Sequence, residues 1–248
     1  SPFAIKRFKQ EWPVVKKSGL YLVAAALTGV ALFNTFVYIA AHYTTAINLA
    51  LIGTTSSPIF AVILSAIFLK EKIGPLKMTG MILCIAGVVY LLCKGDFQNL
   101  LALRFTAGDG WALLAAFTFA IYSPLVRKKP TGISSINFLF VTFWTGVLLL
   151  LPAFLIGVFN GASIQWTPDL FLIILYLGVG TSVISFLCWN KAIGHLGSGR
   201  TALFGNLIPV FSSIEAAIIL HEKFTTVHVI SMLAVFTGIV VVNLEKKE

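Results

Sequence analysis

From residue 18 to residue 69 the chain carries no Lys, Arg, Asp or Glu, and residues 131–168 are likewise free of them. A helix that crosses a bilayer needs about 20 mostly apolar residues. The first run is therefore long enough for two crossings joined by a turn near residues 42–45. Eight apolar segments fit this measure, over residues 19–41, 46–69, 76–93, 108–126, 134–158, 168–190, 199–220 and 226–244. Their apolar runs are continuous instead of alternating, which argues against a strand barrel. The expected fold is an all-α polytopic membrane protein.

Composition excludes the alternatives. Of 248 residues, 58% are apolar and 11% charged, with a mean hydropathy of +0.95. A soluble domain carries about 25% charged residues, so this chain cannot cover itself in water as a soluble enzyme does. The same apolarity excludes a disordered chain. Cys84, Cys93 and Cys188 all fall in apolar stretches and read as free, buried, small hydrophobes. His42, His195, His221 and His228 lie scattered near segment ends, and their spacing offers no metal site.

The net charge of +9 would suggest nucleic acid in a soluble protein. In a membrane protein it reports orientation. With the chain start in the cytoplasm, 15 of the 18 Lys and Arg residues fall on the inner side, leaving Lys94, Arg104 and Lys223 outside. Both ends of the chain are then cytoplasmic. Residues 1–18 form a basic cytoplasmic segment, 94–107 an external loop and 245–248 a cytoplasmic tail. The expected partners are the lipid bilayer and a small-molecule substrate, with no nucleic acid and no cofactor.

An internal repeat sets the architecture. PIFAVILSAIFLKEKI at 58–73 resembles PVFSSIEAAIILHEKF at 209–224, at an ungapped offset of 151 positions. Pro58 pairs with Pro209, Glu71 with Glu222, and Lys72 with Lys223. The same offset pairs Gly29 with Gly180, Ala41 with Ala192, and Gly87 with Gly238. Segments one to three map onto six to eight, so a full unit has five helices. Five is odd, so successive units enter the membrane in opposite directions, as in many secondary transporters. Residues 19–93 are then the last three helices of a first unit, and 108–244 a second unit. Counterparts of segments four and five would precede Ser1, so this reading expects two further N-terminal helices.

The Pro–x12–Glu pattern thus occurs twice, each followed by a glycine-containing apolar helix, GMILCIAGVVYLL and SMLAVFTGIVVVNL. With the run WNKAIGHLGSGRTALFGNLIPVF, these residues resemble the EamA-type branch of the drug/metabolite transporter superfamily, over about residues 19–244. The resemblance implies ten helices in two inverted five-helix repeats. It also implies movement of small metabolites, as in exporters of amino acids.

Alternating access needs a polar site near the membrane midplane where helices are broken. Pro58 and Pro209 fall mid-segment, and each withholds an N–H from the carbonyl four residues earlier, those of Thr54 and Gly205. Thr54, Thr55, Ser56 and Asn206 lie around them, and the repeat pairs Thr55 with Asn206 and Asn34 with Ser185. These residues either line a cavity or bond between packed helices. Trp144, mid-segment, either stacks on substrate or packs against helices and lipid. Tyr122 and Trp189 lie nearer the cytoplasmic ends, as gate or interface residues. Glu71 and Glu222 read as structural acids at the starts of the following helices. Glu215, whose repeat counterpart is Leu64, is the one acid well inside a segment. It either couples transport to protons or fixes packing.

Faces of small residues, such as Gly80, Ala86 and Gly87, permit close helix contact and with it a homodimer. Two other classes compete with a transporter. An intramembrane enzyme would need a nucleophile such as Thr54 or Ser56 beside a histidine, and the spacing supplies none. A non-transporting scaffold would not need midplane prolines in both halves.

Overall fold

The computed structural model describes residues 2–71, 73–102, 106–161, 165–219, 221 and 224–244. Among these there is no strand. Helix α1 spans Pro2–Lys17, α2 Gly19–Tyr43, α3 Ala46–Leu69 and α4 Pro75–Leu92. A short α5 at Phe97–Leu101 lies in the segment expected to be a loop. Next come α6 at Ala107–Arg127, α7 at Ser135–Phe159, α8 at Pro168–Leu196, an interrupted α9 over 198–219, and α10 at Thr226–Leu244. Seven described helices, all but α1, α5 and α9, are long and apolar enough to cross a membrane. The chain is an all-α polytopic membrane protein.

The helix starts follow local chemistry. Thr45, Ser134 and Thr167 cap α3, α7 and α8, each accepting from the backbone N–H three residues on. Thr106 and Asp109 form a reciprocal capping box on α6, and Pro75 occupies the first position of α4. The basic N-terminal segment is itself helical. Glu11 on α1 accepts from the Ser134 N–H at 2.9 Å and from Asn137 Nδ2 at 2.8 Å, which docks α1 on the start of α7.

Two departures from regular helix matter for function. The seventh expected crossing is not one continuous helix: Ser198–Leu203 and Leu207–Ile219 are separated by a 3-10 turn at Phe204–Asn206. Pro209 explains the break, because its ring nitrogen cannot donate to Gly205. The second departure is π-helix at Leu27–Ala31 in α2 and at Tyr176–Ile184 in α8. Shifted by 151, the first stretch falls inside the second. Asn34 Nδ2 donates to Val30 O, and its counterpart Ser185 Oγ donates to Gly180 O, so each closes the end of one π segment.

The most extensive helix pairing joins α4 to α10. A Cβ on Gly80 would lie 2.4 Å from Val242 and 2.5 Å from the Gly238 carbonyl, and one on Gly87 3.0 Å from the Ser231 carbonyl. One on Gly238 would meet the Gly80 carbonyl at 2.6 Å. These backbones touch because no side chain intervenes. Residue numbers rise on α4 as they fall on α10, so the helices run antiparallel. Contacts are reciprocal under the offset: Gly80 meets the counterpart of Gly87, and Gly87 meets the counterpart of Gly80. At the crossing, Cys84 Sγ donates to the carbonyl of Val235, its own counterpart, at 3.5 Å.

Around this pair, α6 is the most enclosed crossing, packed on α2 and α3, whereas the most apolar window of α8 has no buried residue. Cys84 and Cys93 are buried as expected. Cys188 is exposed on α8, a correction that follows from that helix's outer position.

Candidate substrate cavity

Between α2, α3, α6, α8 and α9 lies a cavity of about 350 Å³. Its wall includes Phe33 and Val37 from α2, and Ala50, Gly53, Thr54, Ser57 and Pro58 from α3. Ala112, Ala116 and Phe119 of α6, Trp189 of α8, and Ala202, Gly205 and Ile208 of α9 complete most of the rest. Small residues create the space, and its few polar groups come from Thr54, Ser57, the Trp189 indole and the Gly205 backbone at the break in α9. Thr54 and Gly205 are repeat counterparts, as are Ser57 and Ile208. Neither the Thr54 nor the Gly205 carbonyl receives an N–H from four residues on, because that residue is proline. Phe33 and Phe119 lie 4.7 Å apart between centroids, and Phe119 and Trp189 5.4 Å, so one side of the cavity is aromatic.

Of the residues singled out by sequence, Thr54, Pro58 and Gly205 share this wall. The Thr54 hydroxyl donates to Ala50 O at 2.6 Å, which leaves its oxygen as an acceptor. The others lie elsewhere. Thr55 donates back to Leu51 O, and neither it nor Ser56 is on the wall. Asn206 is fully buried within α9, with Nδ2 on Leu203 O and Oδ1 without a partner. Pro209 is buried behind Gly205 and Ile208. Asn34 and Ser185 serve the π segments. Trp144 is exposed and lines a separate apolar groove with Ile136, Phe140, Phe143, Val147, Val183 and Leu187. Helical rotation decides these outcomes: Thr54 and Ser57 share a face of α3, while Thr55 and Ser56 turn away from it.

The acids also find different surroundings. Glu71 does not cap α4, whose N-cap Gly74 has no side-chain bond. Its carboxylate lies 3.4 Å from the buried Lys77 and about as close to where a Cβ on Gly197 or Gly199 would stand. Glu215 is exposed on α9, outside the cavity wall. Glu222 lies outside the described residues. Sequence reasoning left the aromatic wall out of the cavity: Phe33, Phe119 and, with a polar group of its own, Trp189. Its indole N–H is buried without a hydrogen-bond partner. The tilted aromatic contact with Phe119 that would have indicated it is formed only between helices.

One end of the bundle, which carries Lys70, Lys77, Arg127, Lys128 and Arg200, is tied across helices by hydrogen bonds. Ser65 and Ser198 hydroxyls are 2.5 Å apart, Tyr122 donates to Asn190 Oδ1 at 3.0 Å, and Lys128 Nζ donates to Phe68 O at 2.6 Å. Arg127 donates to the carbonyls of Ile193 and Gly194. Gly197, with φ +89, makes the sharp turn from α8 into α9 that brings Ser198 to Ser65. The cavity extends away from this end, towards Val37, Leu49 and Ala112.

Known proteins resemble this chain in sequence and fold. The chain is 29% identical over 213 residues to an uncharacterized transporter of Archaeoglobus fulgidus, covering 85% of this chain and 72% of that protein. It is 25% identical over 238 residues to the uncharacterized transporter YetK of Bacillus subtilis, covering 95% and 71%. It is 21% identical over 214 residues to a probable amino-acid metabolite efflux pump of Escherichia coli, covering 82% and 70%. A solved crystal structure with 20% identity superposes with a TM-score of 0.72 over 94% of this chain and 75% of its own, a likeness of fold. The sequence model of the EamA-like transporter family matches residues 2–93 and 106–244. The chain belongs to the EamA-like transporter family.

Proposed function

We propose that this protein is a secondary transporter that exports a small organic metabolite, in the class of amino-acid metabolites, by alternating access. The observation that carries this reading is the cavity itself. Thr54, four residues before Pro58 in the continuous α3, and its counterpart Gly205, at the 3-10 turn that interrupts α9, meet on one wall. The reciprocal, antiparallel contacts of α4 and α10 support two inverted units related by a pseudo-twofold axis. In this reading the units rock about that pair. The ties at the basic end form one gate, and their release exposes the cavity to the other side. The concentration of Lys and Arg supports assigning that end to the cytoplasm, in a bacterial inner membrane with both ends of this chain inside. The amino-acid class is supported by the likeness to the efflux pump of Escherichia coli. Glu215 is the proposed proton-coupling acid, since an acid well inside an apolar segment of a membrane protein is costly and usually functional. Counterflow in liposomes tests the proposal: saturable exchange without ATP is expected. A product made from the substrate, or no exchange of any metabolite in a broad screen, contradicts it.

A further inference from the structure

The cavity wall has no Asp, Glu, Lys, Arg or His among the described residues. That absence distinguishes among ligands that an amino-acid-metabolite transporter could carry. A carboxylate buried here would lose its water and find no cation to replace it. An ammonium group faces different surroundings. The carbonyl oxygens of Thr54 and Gly205 lack the N–H of residue i+4, and the Thr54 hydroxyl already gives its proton to Ala50 O. The Thr54 carbonyl and hydroxyl oxygens therefore stand open to a ligand, and the Gly205 carbonyl, which takes the Leu207 N–H, keeps a second lone pair. Phe33, Phe119 and Trp189 supply aromatic faces, which attract cations and stack on flat rings. On the donor side stand the Ser57 hydroxyl and the buried, unpartnered N–H of Trp189. At about 350 Å³ the volume is at the small end of ligand cavities. It suits a molecule of one or two rings.

We infer that the cavity takes flat arylalkyl amines without an anionic group, in preference to free amino acids. The inference rests on the cavity being the transport site. It goes further by separating the amine from its carboxylate-bearing relative. The amine donates to the Thr54 and Gly205 oxygens, the ring lies against Phe119 and Trp189, and the Trp189 N–H meets an acceptor on the ligand, such as an ester or amide carbonyl.

The test uses the full chain in lipid nanodiscs and four probes sharing one ring: tryptamine, tryptophan methyl ester, tryptophan and indole-3-acetate. Equilibrium binding is read by calorimetry. Tryptamine and the ester are expected to bind at least tenfold more tightly than tryptophan, with indole-3-acetate weakest. Trp189→Phe keeps an aromatic face, though a smaller one, and removes the N–H. It is expected to weaken the ester severalfold and tryptamine little, with unchanged helical circular dichroism. Thr54→Val, which keeps the side-chain shape and removes the hydroxyl oxygen, is expected to weaken both. Equal or tighter binding of tryptophan or indole-3-acetate overturns the inference, as does no saturable binding of any probe. Counterflow of the same probes separates the two claims. Tryptamine that binds but is not exchanged contradicts transport and leaves the ligand class standing. Exchange of tryptophan without tryptamine contradicts the ligand class and leaves transport standing.

Discussion

At the scale of single residues, space and charge make separable predictions. A Cβ on Gly205 would meet nothing within 4 Å. Gly205→Leu therefore fits into the cavity without clashing at its first atom, and fills space that a ligand needs. Transport is expected to fall at least tenfold with expression and thermal stability near parent values, checked by counterflow and a melting curve. Glu11 makes a pH prediction. Burial alone would raise its carboxyl, but the Ser134 N–H, the Asn137 and Ser134 side chains and the Lys129 charge outweigh burial and hold it below its ordinary value. A carboxyl lowered on folding stabilises the docked α1 at pH values above its unfolded pKa. That stabilisation is lost as pH falls through the folded value. Hydrogen exchange of α1 should accelerate on acidification below about pH 4, and in Glu11→Gln at neutral pH. Glu215→Gln should impair gradient-driven accumulation more than substrate exchange. Equal accumulation by variant and parent across neutral and acidic pH would remove Glu215 from coupling. What single residues could not reveal in sequence was facing. Thr54, Thr55 and Ser56 are chemically alike neighbours, and only rotation within α3 places Thr54 on the wall and the other two off it.

At the scale of elements, helices were legible because each crossing has a length and apolarity that water does not tolerate. The α3 and α10 bounds coincide with segments read from sequence. The exceptions are interactions between elements. Sequence placed Glu71 as a helix cap, but its partner is Lys77 on α4, beside the glycines that begin α9. Lys77 is buried and Glu71 is not fully so, which makes Glu71→Gln the harsher single change: it leaves the buried ammonium without its counter-charge. The double variant Lys77→Met, Glu71→Gln should recover part of the lost melting temperature, and failure to recover would argue that the pair does not interact. The α4–α10 crossing makes the stronger prediction. Gly80→Leu forces side-chain atoms into the Gly238 backbone and should destabilise by about 1–3 kcal/mol, as other overpacked interiors do. Gly19→Leu, at a position with no atom within 4 Å of its Cβ, should cost far less.

At the scale of the whole molecule, the proposed repeat unit, with an odd number of helices, is what would couple sequence to mechanism. It requires opposed directions for equivalent helices, and α4 and α10 do run antiparallel with reciprocal contacts. The repeat was visible in sequence because Pro, Gly and Glu recur at one offset. The cavity was only half visible, because the prolines mark where carbonyls open but not which aromatic rings from α2, α6 and α8 close around them. The central claim is that this cavity is the route of a secondary transporter, and counterflow tests it most directly. Purified parent protein and Gly205→Leu, reconstituted at equal density and loaded with unlabelled substrate, should differ sharply. The parent should take up labelled substrate transiently and saturably without ATP, and the variant at a rate at least tenfold lower. Equal counterflow by the two proteins would contradict the account.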